Sequence, residues 1–73
     1  MVITKIDYLI TYKGKVIAES YSGLEGAREA YNVALDDEKF EAFGLDLYER
    51  VKTYYEIKNS GDYLLDSEIL RSI

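Results

Sequence analysis

The stretch LDLYERVKTYYEIK, residues 45–58, constrains the fold more than any other, because it fits two periods and each implies a different architecture. Taken two at a time, Leu45, Leu47, Val51, Thr53, Tyr55 and Ile57 fall on one side, interrupted only by Glu49. That is the alternation of a half-buried strand. At helical spacing, Leu47, Tyr48, Val51, Tyr54 and Tyr55 form a stripe, opened by a capping-box pattern from Asp46 to Glu49. A strand here would be the longest and a central member of a small sheet; a helix would leave a hairpin carrying two or three helices. The run Val-Thr-Tyr-Tyr-Ile is rich in β-branched and aromatic residues, which favours the strand.

The flanking segments set what that strand can pair with. From Val2 to Tyr12, Val2, Thr4, Ile6, Tyr8, Ile10 and Tyr12 alternate with a mostly polar side that Ile3 and Leu9 interrupt. Tyr12-Lys13-Gly14-Lys15 reads as a tight turn with Gly14 at positive φ, returning as a second strand over 15–21. A two-residue turn pairs Ile10 with Ile17 and Ile6 with Tyr21, and a bulge would shift that register by one. Ser22-Gly23-Leu24-Glu25 is a helix start in which Ser22 and Glu25 can cap each other's amides. Leu24, Ala27, Tyr31, Ala34 and Leu35 then follow helical spacing, with Tyr31 and Leu35 expected as the main core contacts. Asp36-Asp37-Glu38 extends that helix or caps a short second one bearing Phe40 and Phe43, both expected in the core, before Gly44 ends it. Asn59-Ser60-Gly61-Asp62 is a turn. The tail YLLDSEILRSI suits either a fourth strand or a short helix. The expected class is α+β, a single domain over 1–73. It comprises a small antiparallel sheet of three or four strands with one main helix packed on one face.

Charge is distributed unevenly. Residues 25–49 carry eight carboxylates against two basic side chains, whereas residues 1–24 and 50–73 are near balance, and the chain carries −5 in total. A field of that sign repels phosphates and attracts basic surfaces. With neither Cys nor His, disulfides, thiolate metal sites and a histidine general base are all ruled out. No spacing of glycines suits a phosphate loop and no calcium-loop pattern occurs. The expectation is therefore a protein that is not an enzyme and needs no cofactor or metal. The first residues are too broken by charge for a secretory signal and no apolar run approaches a membrane span, so a cytoplasmic location without membrane contact is expected.

The functional expectation is a small acidic binding protein. Its partner would be a protein with a basic surface, met by Glu29, Asp36, Asp37, Glu38 and Glu41 with Tyr48 and Tyr54 at their flank. Eight tyrosines supply stiff amphipathic contact area. A row of carboxylates can also imitate nucleic-acid phosphates toward an enzyme that handles them. In size, charge and hairpin-plus-helix order the chain resembles the tiny acidic inhibitors that phages make against host proteins, with no motif matched. Two alternatives stand beside this one. The first is a self-associating assembly module or homodimer; the second is single-strand binding through Tyr54 and Lys52, for which the net charge makes nucleic acid a poor partner.

Overall fold

Residues 45–56 are extended in the computed structural model, which describes all 73 residues. The chain runs β1 (Val2–Tyr12), β2 (Lys15–Ser20), α1 (Gly23–Leu35), a 3₁₀ turn at Ala42–Gly44, β3 (Leu45–Glu56) and β4 (Tyr63–Ser72). The four strands form one sheet in the order β2-β1-β3-β4 with every neighbour antiparallel, and α1 packs on one face. The α+β architecture expected from the pattern is the one observed. The strand period wins over residues 45–58 because it serves both neighbours. β3 pairs with β1 from Val2↔Tyr55 to Tyr12↔Leu45, and on its other edge with β4, which settles the tail as a strand.

The β1–β2 turn has Lys13 at φ 50° and Gly14 at φ 85°, the doubly positive pair of a type I′ hairpin whose twist matches its strands. The Lys13 amide donates to the Gly44 carbonyl at 2.9 Å, so a left-handed lysine is held by a tertiary bond. Gly14→Ala should lower stability by about 1 kcal/mol in urea melts, since nothing lies near its Cβ position and only the backbone conformation resists. Register near the turn is the expected one, Tyr12↔Lys15 and Thr11↔Val16, but a bulge then skips Ile17. Ile10 therefore pairs with Ala18 instead of Ile17, Tyr8 pairs with Ser20, and the expected Ile6–Tyr21 pair does not form. The physical reason is clearance. The bulge turns small Ala18 toward α1, whose own buried residues are Ala27 and Ala34, so helix and sheet approach closely.

The core lies under the helix. Ile10, 1% exposed, is its centre, with Tyr8, Leu45, Leu47, Ala27 and Ala34 around it and Tyr12, Tyr31 and Phe40 closing the edges. Tyr31 also donates its hydroxyl to the Leu45 carbonyl at 3.3 Å. Two expectations are corrected. Leu35 is 38% exposed, because the alanines occupy the face of α1 nearest the sheet. Phe43 is 83% exposed: Phe40 takes the place against Tyr12, at 4.9 Å between ring centroids, and the 3₁₀ turn carries Phe43 outward. The expected capping box is also unmade. Gly23 sits at φ 89° and Ser22 makes no capping bond, its hydroxyl lying instead 3.4 Å from that of Ser20.

The other face of the sheet has no covering element but is organised by one ion pair. Asp7 and Arg50 are directly opposite across β1 and β3, and both side chains are largely buried. Arg50 Nε donates to Asp7 Oδ1 at 2.8 Å, a second guanidinium N–H reaches Oδ2, and Glu19 and Glu68 flank the same guanidinium at 3.5 and 3.8 Å. Hydrogen bonding from Arg50 holds the Asp7 carboxyl below the usual carboxylate range, against the opposing effect of burial. The same bonds raise the Arg50 guanidinium further above its ordinary value. No helix is long and apolar enough to cross a membrane.

Candidate functional site

The acidic residues come together where α1 ends. The helix stops at Leu35 with Asp36 as its C-cap, and Asp36, Asp37 and Glu38 follow in sequence at the negative pole of the helix dipole. No basic residue lies in the last turn to offset them. Each carboxylate there is disfavoured by a few tenths to about 1 kcal/mol, the reverse of what helix stability selects. Asp37 accepts the Lys39 amide at 2.9 Å and meets its ammonium at 3.8 Å, and Glu41 lies 3.8 Å from Lys13 Nζ. These pairs are exposed and contribute little. Asp36 and Glu38 are exposed and make no ion pair. Glu29 lies two turns earlier on the same side of α1 as Asp36, with exposed Val33 between them.

Of the seven residues expected at the site, four (Asp36, Asp37, Glu38, Glu41) share the loop that closes over the β1–β2 turn, tied there by the Tyr12–Phe40 contact and by the Glu41 amide donating to the Tyr12 hydroxyl at 3.3 Å. Glu29 continues their surface along the helix. Tyr48 and Tyr54 do not belong to it. They sit opposite Leu9 and Ile3 on the face away from the helix, because even-numbered side chains of β3 alternate with the core residues Leu45 and Leu47. The aromatic side chain that does stand in the acidic loop is Phe43, which the apolar pattern assigned to the core. The only sequence signal for its exposure is its place between Glu41 and Gly44, too close to the turn to reach inward.

Tyr54 has a different setting. Lys5 Nζ lies 5.7 Å from its ring centroid, and Lys5 stands directly opposite Lys52. With Tyr21 and Asp7 these residues line an open hollow of about 400 Å³. The cations on this face, Lys5, Arg50 and Lys52, are matched by Asp7, Glu19 and Glu68, so the face has no net positive field for a phosphate chain.

No protein family, no curated protein and no solved structure matches the chain.

Proposed function

We propose that this chain is a non-enzymatic binding protein whose helix-end loop, acidic and centred on Phe43, docks on a basic site of a protein partner. The observation that carries this reading is the placement of Asp36, Asp37 and Glu38 at the helix pole that repels them, together with Phe43 left in solvent further along the same loop. Both features work against folding and both suit recognition, the usual signature of a surface kept for binding. Carboxylates steer the encounter with a basic partner, and Phe43 is the anchor that a partner pocket would desolvate. Glu29, two turns before the Asp36 cap on the same side of α1, extends the negative surface along the helix. A nucleic-acid-processing protein is the partner class that such a surface suits best, because its groove is built for spaced negative charge. Inhibition by occupying that groove is the form of activity this reading implies.

The test separates binding from folding. Asp36→Lys with Glu38→Lys should abolish capture of a partner from lysate at about 50 mM salt, and wild-type capture should fade by about 500 mM. The same double variant should be more stable than wild type by about 0.5–1 kcal/mol, since lysines now complement the helix pole. Phe43→Ala should weaken the captured complex about tenfold or more without shifting the melting temperature. Partners retained by both variants would defeat the assignment.

A further inference from the structure

The helix covers only one half of its own face of the sheet. Past the Tyr8–Glu49–Arg71 row, that face continues as three rows across β1, β3 and β4: Ile6–Val51–Ile69, then Thr4–Thr53–Ser67, then Val2–Tyr55–Leu64. None of these nine residues is charged, and Ile6, Ile69 and Val2 are 53%, 56% and 64% exposed. The reverse face over the same strands is mixed, with Lys5, Lys52, Glu68, Asp7 and Arg50 interleaved with Ile3, Tyr54, Leu65 and Leu70. So on the helix side the three rows are free of charge, whereas the reverse face carries ion pairs between its apolar residues. The molecule is 50 Å long and 21 Å wide, and this half is the part that extends beyond the core.

We propose that the bare half is a homodimer interface, and that a second copy packs on it face to face about a two-fold axis through the Thr4–Thr53–Ser67 row. The pattern is palindromic along the strands, with an apolar row, a hydroxyl row and an apolar row. A two-fold lying along the middle row puts Val2, Tyr55 and Leu64 of each copy over Ile6, Val51 and Ile69 of the other. Small hydroxyl residues meet on the axis, where the sheets come closest. The other two-fold, parallel to the strands, would bring helix onto helix. Sheets pack about 10 Å apart, which leaves no room for two helices between them. About the chosen axis the helices lie at opposite ends. The β3–β4 turn of each copy passes beside the helix of the other, since α1 rests mainly on β1, β2 and β3.

The size is sufficient. Five residues along three strands give a footprint of about 240 Å², or up to about 500 Å² of accessible surface per copy with side-chain relief, so the pair buries up to about 1,000 Å². That lies at the lower bound of specific interfaces and predicts a micromolar dimer. A chain of 73 residues with ten buried ones has good reason to gain more core this way. The dimer also holds two acidic loops at its far ends, which makes it bivalent toward basic partners.

Sedimentation equilibrium between about 1 and 200 μM tests the interface. Wild type should pass from monomer to dimer across that range. Thr53→Lys sets two lysines against each other on the axis and should weaken association at least about a hundredfold while the far-UV spectrum stays that of wild type. Thr53→Glu should do the same, and mixing the two variants should restore a heterodimer, which a merely misfolded variant would not. Wild type that remains monomeric at 200 μM, or a Thr53→Lys protein that still dimerises, overturns the proposal. Flotation of such a monomer with phosphatidylcholine vesicles would assign the face to a lipid surface instead.

Discussion

Ile10→Ala lowers the unfolding free energy by about 4 kcal/mol, the largest loss expected from any single truncation in this chain. Ile10 is the one large side chain here with essentially no solvent exposure. It lies in the middle of β1, between Ala18 on β2 and Leu47 on β3, so three strands and the helix must all move to fill the space it leaves. Deleting three buried carbons removes their transfer free energy and adds a cavity term, together about 2–5 kcal/mol. A domain of this length has about 4–10 kcal/mol in total, so the variant should be largely unfolded at 37 °C. Ile6→Ala is the matched control. It deletes the same atoms from the same strand and the same face, but at a site 53% exposed, and should lose less than about 1 kcal/mol in dilute solution. Urea melts at submicromolar concentration, below the proposed association, compare the two. Equal losses would mean that the core does not end where the helix ends.

Asp7→Asn is expected to destabilise by about 3 kcal/mol at neutral pH, because it leaves the Arg50 guanidinium largely buried without its bidentate partner. The neighbours Glu19 and Glu68 are more exposed and stand further off, so they compensate only in part. The sign of the pH dependence follows from the direction of the Asp7 shift. Its folded carboxyl titrates below the unfolded value of about 3.9, so the stabilisation is complete above about pH 5 and is lost as pH falls through the depressed folded value. Wild type and Asp7→Asn should therefore differ most at about pH 6–8 and draw together as pH falls through the depressed folded value. Replacing both partners, Asp7→Leu with Arg50→Met, should recover much of the loss, since no charge is then stranded. A constant gap between wild type and Asp7→Asn from pH 7 to pH 2 would contradict the ion-pair origin.

The two predictions concern opposite faces of one strand, and only one of those faces was readable in advance. Even-numbered residues of β1 alternate so regularly that their common side was evident, and Ile10 is among them. Asp7 and Arg50 lie 43 residues apart and come together only through the β1–β3 register. Nothing local to either residue marks it as paired. The acidic loop shows the same division. That Asp36, Asp37, Glu38 and Glu41 are close together is a matter of sequence. That Tyr48 and Tyr54 face away from them depends on which side of β3 the helix chose, and that Phe43 of the same loop is exposed depends on the 3₁₀ turn before β3.

Residues 45–58 and the tail each admit a strand or a helix by local pattern, and became strands only by pairing, β3 with β1 and β4 with β3. Local chemistry alone determined the other elements: period-two alternation made β1 and its hairpin partner, a 3.6-residue apolar spacing made the helix, and Lys13-Gly14 and Asn59-Ser60-Gly61-Asp62 made the turns. Those signals act over a few residues and need no partner to be felt. The tertiary structure alone decided the Ile17 bulge, the exposure of Leu35 and Phe43, the Asp7–Arg50 pair and the bare apolar half of the sheet. Each of these depends on how closely and how far one short helix can cover a longer sheet. That is a property of side-chain volumes meeting across the fold, and no window of neighbouring residues contains it.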